Sequence, residues 1–174
     1  MQLKRGVLFS RRSVLRRVDL LSKQIISDLG NSIHAVFLLK GATVFFTHLM
    51  ERLHHHGAEV SFHPMSVSSY SGTRSSGKIR VRLDIDRIRG KDILVVEDIV
   101  DTGLTIDYVM RHLKKKGAGE IRVCSLFDKP EKRKVKVRID YAGYAIPDIF
   151  IVGFGMDCGE RYRDLPYVAE VKNG

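Results

Sequence analysis

The chain has 174 residues, 44% hydrophobic and 29% charged. That length suits one domain with a continuous core, and the composition excludes wholesale disorder. No apolar run approaches the roughly 18–20 residues that cross a bilayer, and no membrane association is expected. The two cysteines, Cys124 and Cys158, form no CxxC pair, which argues against a disulfide framework or a structural zinc site and fits a reducing cytosol.

The net charge of +10 is uneven. Residues 1–23 carry seven Lys/Arg against Asp19 alone, and residues 111–138 carry eleven against Glu120, Asp128 and Glu131. The rest of the chain is net acidic. Such a balance favours anionic partners such as phosphates, nucleotides or nucleic acid, with solvated basic faces as the plain alternative. The Arg-rich start is not read as a transit peptide, because it runs straight into a well-formed helix.

In chain order, Val14, Val18, Leu21, Ile25 and Leu29 mark one helix face, stopped by Gly30. Ile33 to Leu39 reads as a buried strand ended by Lys40-Gly41. Phe45, Leu49 and Leu53 mark a second helix ending at Gly57. Glu59 to His63 reads as a strand stopped by Pro64. Residues 68–77 are small and polar, the composition of a mobile loop. Ile79, Val81, Leu83 and Ile85 alternate as a half-exposed strand. Ile93 to Val96 is a buried strand, and Ile106, Val109, Met110 and Leu113 give a third helix before Gly117. Ile121 to Phe127 and Phe150 to Phe154 are the last strands. The alternation predicts an α/β fold with a mainly parallel central sheet flanked by helices, in a single domain over 1–174. Ligands of such sheets bind beyond the carboxyl ends of the strands, here after Leu39, Val96, Phe127 and Phe154.

The strongest chemical signal is Glu97-Asp98-Ile-Val-Asp101-Thr102-Gly103-Leu104-Thr105. Two acids close a buried strand, a third follows, and Thr-Gly-x-Thr opens a helix. A helix start offers unpaired N–H groups and a positive dipole end, so this is a phosphate cradle without a lysine. The neighbouring acids would repel phosphate unless a divalent cation or sugar hydroxyls met them. A phosphorylated ribose carrying a pyrophosphate satisfies all three parts. The His54-His55-His56 run sits at a helix end, where such side chains suit the dipole, and is not read as a metal site.

This segment resembles the sugar-pyrophosphate motif of the type I phosphoribosyltransferases. Leu38-Leu39-Lys40-Gly41, Ser68-Ser69-Tyr70, Asp128-Lys129-Pro130, Ile146 to Gly153, and Asp157 with Arg161 to Tyr167 extend the resemblance to the hypoxanthine–guanine phosphoribosyltransferases over nearly the whole chain. The resemblance implies that family's fold, with a small hood built from both chain ends and a lid over about 68–77. It implies magnesium-dependent transfer of phosphoribose from phosphoribosyl pyrophosphate to hypoxanthine or guanine. By it, Glu97 and Asp98 hold ribose hydroxyls and magnesium, Asp101 accepts the purine proton, and Asp101, Thr102, Gly103, Leu104 and Thr105 cradle the 5′-phosphate. Lys129 donates to the exocyclic oxygen, Phe150 stacks on the base, Ile151 reads its edge through the backbone, and Asp157 supports a second magnesium near the purine. Lys40, Gly41 and Arg163 contact pyrophosphate, with the Leu39–Lys40 peptide able to be cis, and Ser69 and Tyr70 ride on the lid. Relatives are commonly homodimers or homotetramers.

One departure stands out: Cys158-Gly159 follows Asp157 where relatives often carry an aromatic residue. Xanthine preference is therefore an alternative. An RNA-binding regulator on the same fold is another, disfavoured because no aromatic platform accompanies the basic runs. An aspartyl phosphatase would need Asp-x-Asp followed by Thr or Val at the strand end, where this sequence has the wrong spacing, Glu97-Asp98-Ile-Val-Asp101. A P-loop nucleotidase would need Gly-Lys-Ser/Thr, which is absent.

Overall fold

The computed structural model describes residues 2–69 and 79–172. Within them the elements follow as β1 (Gln2–Phe9), α1 (Arg11–Leu29), β2 (Ser32–Leu39), α2 (Ala42–His55), β3 (Glu59–Ser69), β4 (Ile79–Leu83), β5 (Ile93–Val100), α3 (Leu104–Lys115), β6 (Ile121–Asp128), a 3-10 turn (Pro130–Lys132), β7 (Tyr141–Ala145), β8 (Ile151–Val152) and β9 (Val168–Lys172). The main sheet has six strands in the order β4-β3-β2-β5-β6-β7. Every neighbouring pair from β3 to β7 is parallel, and only β4 joins antiparallel.

Side chains that alternate along the buried strands face two different helix layers. Ala35, Phe37, Leu94, Val96, Cys124 and Leu126 pack with Val14, Val18, Leu21 and Ile25 of α1 and with Phe45, Leu49 and Leu53 of α2. Val36, Leu38, Val95 and Val123 turn the other way, onto Ile106, Val109 and Leu113 of α3. The helices end as their sequence dictates. Ser10 caps α1 by accepting from the Ser13 N–H at 3.2 Å. Gly30 closes it at φ 74°, a conformation that costs glycine little. At the end of α2, His56 Nε2 meets Asp19 at 2.8 Å, so one histidine of the run ties α2 to α1.

Three strand expectations need correction. β3 does not stop at Pro64 but runs on to Ser69. β4 reaches β3 only from Ser66 onward, so one side of the strand is an open edge at Pro64, where a missing N–H costs no ladder bond. β5 does not end at Val96 but continues to Val100, held by pairing with β6 out to Asp128, so Glu97 and Asp98 lie within a strand. The expected strand over Phe150 to Phe154 shrinks to Ile151–Val152 and leaves the main sheet. It joins β9 and β1 in a separate three-stranded sheet, order β1-β9-β8, built from the two ends of the chain. Cys124 is fully buried, and burial pushes its thiol up, so it packs as a small hydrophobe.

Candidate active site

β2, β5 and β6 lie side by side and point the same way, so their carboxyl ends form one edge. β2 delivers Lys40 and Gly41, β5 delivers the acids and the loop 101–103, and β6 delivers Lys129. The Leu39–Lys40 peptide is cis. The loop after β8 covers this edge from above. A Cβ on Gly155 would lie 2.2 Å from the Gly41 carbonyl oxygen, so the two turns touch backbone to backbone. That contact brings in Asp157, Glu160 and Arg163. Arg163 donates to the Gly155 carbonyl at 2.9 Å and pairs with Asp157 at 2.8 Å and Glu160 at 3.1 Å. Lys40 closes the group on Glu160 at 2.7 Å. The Lys40 ammonium, and then Arg163, hold the Glu160 carboxyl below its ordinary range.

Glu97 and Asp98 are adjacent acids in a desolvated strand. Each takes a backbone N–H: Glu97 Oε1 from Asp98 at 3.1 Å and Asp98 Oδ1 from Ile99 at 2.9 Å. Burial, and then the neighbouring Asp98 charge, push Glu97 well above the usual carboxylate range. Burial also raises Asp98. A Cβ on Gly41 would lie 2.0 Å from Asp98 Oδ2, so the turn after β2 rests directly on this acid.

The loop into α3 is shaped for an anion. Gly103 stands at φ 82° as the N-cap, and no side chain caps the helix. The first turn of α3 therefore keeps N–H groups available for an anion. Thr102 Oγ1 is 3.4 Å from the Leu104 N–H, and Leu104 is exposed beside it. A Cβ on Gly103 would meet Val137 at 2.9 Å and Arg133 at 3.0 Å, which fixes this position as glycine. Arg133 clamps the loop from behind. It donates to the main-chain carbonyls of Val100 and Asp101 and pairs with Asp128.

At the other end, Lys129 is only 5% exposed, and its ammonium lies 3.5 Å from both Asp101 and Asp148. Lys132 lies 3.1 Å from Asp101 and 2.9 Å from Asp148. Lys132, and then Lys129, hold Asp148 below the carboxylate range. Phe150 leaves 41% of its surface open, whereas Ile151 beside it is buried. The ring is thus an exposed aromatic rather than a core residue.

Residues 7–158 match the phosphoribosyl transferase domain family. The chain belongs to that family. A hypoxanthine-guanine phosphoribosyltransferase of Streptococcus pyogenes serotype M3 is 43% identical over 169 residues, covering 95% of this chain and 92% of that protein. A solved hypoxanthine-guanine phosphoribosyltransferase from Bacillus anthracis is 38% identical with a TM-score of 0.89, covering 99% of this chain and 100% of that one. A solved hypoxanthine phosphoribosyltransferase from Trypanosoma cruzi, in complex with the product IMP, is 30% identical with a TM-score of 0.90, covering 99% and 96%.

In this phosphoribosyl transferase the edge of the sheet gathers Lys40, Gly41, Glu97, Asp98, Asp101 to Thr105 and Lys129, and the loop after β8 adds Asp157 and Arg163. Ser69 is the last residue of β3, and Tyr70 lies outside the described residues. Sequence reasoning missed Lys132, Arg133, Asp148 and Glu160. Lys132 and Arg133 were hidden in a basic run. Asp148 stood in a recognised Ile-Pro-Asp segment without a role. Glu160 pairs with Lys40 across 120 positions, which no local pattern reveals.

Proposed function

We propose that this phosphoribosyltransferase moves phosphoribose from phosphoribosyl pyrophosphate to hypoxanthine or guanine, giving IMP or GMP and pyrophosphate in purine salvage. The observation that carries the reading is one sheet edge holding an uncapped helix start, a desolvated acid pair and a buried lysine. Each meets one part of the two substrates.

The roles follow from chemistry. The bond from the anomeric carbon to pyrophosphate breaks, the bond to the purine ring nitrogen forms, and the ring proton goes to Asp101. General base catalysis of this kind contributes about 10²–10⁴-fold. The N–H groups of residues 101–105 and the hydroxyls of Thr102 and Thr105 hold the 5′-phosphate. Lys129 donates to the exocyclic oxygen, Phe150 stacks on the base, and the Ile151 backbone reads its edge. Lys40, Gly41 and Arg163 bind pyrophosphate. Ser69 and Tyr70 belong to a lid that excludes water.

Magnesium fits the donor set. Glu97 and Asp98 are oxygen ligands, and burial makes their charge costly unless a cation offsets it. Asp157 serves a second ion. Among the described residues no group of three or more His, Cys, Asp or Glu side chains is close enough to hold an ion, so Glu97, Asp98 and Asp157 would hold magnesium only together with substrate oxygens and water. Bound magnesium offsets the charge of the leaving pyrophosphate.

The proposal extends to a homodimer or homotetramer acting in the cytoplasm, with the β1-β9-β8 sheet as a hood. No helix among the described residues is long and apolar enough to cross a membrane. The test is nucleotide formation with donor and magnesium and with hypoxanthine, guanine or xanthine in parallel. Turnover with hypoxanthine or guanine supports the reading. Turnover with xanthine alone, or with no purine, overturns it.

A further inference from the structure

Four charged side chains close a ring at the purine end of the site. Asp101 faces Lys132 at 3.1 Å, Lys132 faces Asp148 at 2.9 Å, Asp148 faces Lys129 at 3.5 Å, and Lys129 faces Asp101 at 3.5 Å. The backbone explains why both lysines reach the same acids. Lys129 precedes the 3-10 turn Pro130–Lys132, and the Lys132 N–H donates to the Lys129 carbonyl at 3.1 Å. Side chains three apart are eclipsed in such a turn, so the two ammonium groups project to one side.

Within this ring the two oxygens of Asp101 differ. Oδ2 accepts from Lys132 Nζ at 3.1 Å. Oδ1 is buried and accepts no hydrogen bond among the described residues. The Lys129 ammonium stands off at 3.5 Å from it. A carboxylate that takes a substrate proton must be held at a fixed torsion, because that terminal torsion is otherwise broad, and the Lys132 contact at Oδ2 fixes it. The next residue completes the clamp: Arg133 donates to the Asp101 main-chain carbonyl while pairing with Asp128.

We propose that Lys132 is a positioning residue that holds the Asp101 carboxylate by Oδ2, with Asp148 anchoring Lys132 from the far side. This rests on the reading of Asp101 as the base. The purine N–H proton passes to the Asp101 carboxylate, and the N–H electron pair forms the bond to the anomeric carbon as the pyrophosphate oxygen departs. Asp148, bound to both lysines, gives the ring two acids for its two cations. Both carboxylates raise Lys132, Asp148 first and then Asp101.

The experiment compares Lys132→Met, Lys132→Arg and Asp148→Asn in the full chain, with phosphoribosyl pyrophosphate, magnesium and hypoxanthine. Lys132→Met is expected to lower kcat about tenfold and leave the donor KM within about twofold. Its acidic limb moves to higher pH, because a carboxylate that loses a cation takes up a proton more readily. Lys132→Arg restores most of kcat, and Asp148→Asn gives a smaller loss of the same kind. Wild-type kcat with an unmoved acidic limb in Lys132→Met overturns the proposal, as do equal losses in the Met and Arg variants. Carbon-13 NMR titration of the Asp101 carboxyl in ligand-free protein gives a readout independent of turnover. A midpoint unmoved by Lys132→Met removes Lys132 from the role. Absence of nucleotide formation in the wild type would instead remove the functional reading itself. Should Lys132→Met fail to fold, the Asp148→Asn and Lys132→Arg profiles decide: an unmoved acidic limb in Asp148→Asn overturns the proposal.

Discussion

The Cβ that Gly41 lacks would sit 2.0 Å from Asp98 Oδ2, so the turn after β2 and the acid pair of β5 share one small space. Gly155 closes that space from the far side, with its own missing Cβ 2.2 Å from the Gly41 carbonyl. The turn cannot slide away from the acid. Gly41→Ala is therefore expected to displace Asp98 and lower kcat/KM at least about 100-fold, since a shift near 1 Å at such a site costs that much. Steady-state kinetics with both substrates checks it. A loss under about fivefold would mean that Asp98 and the turn move independently.

Asp101→Asn removes the proposed proton acceptor but keeps the side chain's shape. Turnover is expected to fall about 10²–10⁴-fold, while the affinity for phosphoribosyl pyrophosphate stays within a few fold. Single-turnover rates and donor titrations separate the two. Unchanged turnover would remove Asp101 from the role of base.

Phe150 has an exposed ring, and the proposed function gives it the stacking role on the purine. Stacking of a base on an aromatic ring is worth about 1–3 kcal/mol, so Phe150→Ala is expected to raise the purine KM roughly tenfold or more. The donor KM and the melting point change little, because much of the ring is already exposed. A large fall in melting point with an unaltered purine KM would make Phe150 a packing residue.

The loop after β4 is tied to the end of α3 through Asp84. Its carboxylate takes His112 at 2.8 Å, Lys116 at 2.9 Å and the Ile85 N–H at 2.8 Å. Burial alone would raise this group, but the bonds from Lys116, His112 and the Ile85 N–H hold it down at about 2. A lowered acid stabilises the fold above its unfolded value, near 4, and that contribution is lost as pH falls through about 2. Asp84→Asn should therefore lower the melting point at pH 7 by about 2–4 °C, discounted for partial exposure. The gap should close as the pH falls below about 4. Thermal melts across that range check the sign, and a gap that widens in acid would contradict it.

The helices and the inner strands were legible because periodic burial wrote them. Val14 to Leu29 and Ile106 to Leu113 have helical spacing, and Ile33 to Leu39 is an apolar run. The outer parts were not. β7 is Tyr-Ala-Gly-Tyr-Ala, with a glycine whose Cβ would meet the Leu126 carbonyl at 2.4 Å, so its small residues answer to close backbone approach rather than to strand propensity. The apolar pattern of β1 is interrupted by Lys4, Arg5 and Gly6, and its partner β9 lies at the other end of the chain. Pro64 misled because a proline is tolerated where a strand has an open edge. At the site, the acids, the glycine loop and Lys129 were legible as contiguous motifs. Lys132, Asp148 and Glu160 act through ion pairs between distant positions, and charge in a basic run looks like solvated surface until the fold brings an acid to it.

Titration calorimetry of the whole chain with phosphoribosyl pyrophosphate and magnesium tests the central claim most directly. The site described here predicts saturable heat at one donor per chain, weakened strongly in Gly41→Ala and retained in Asp101→Asn. An absence of heat, together with a melting point unmoved by donor and magnesium, would contradict it.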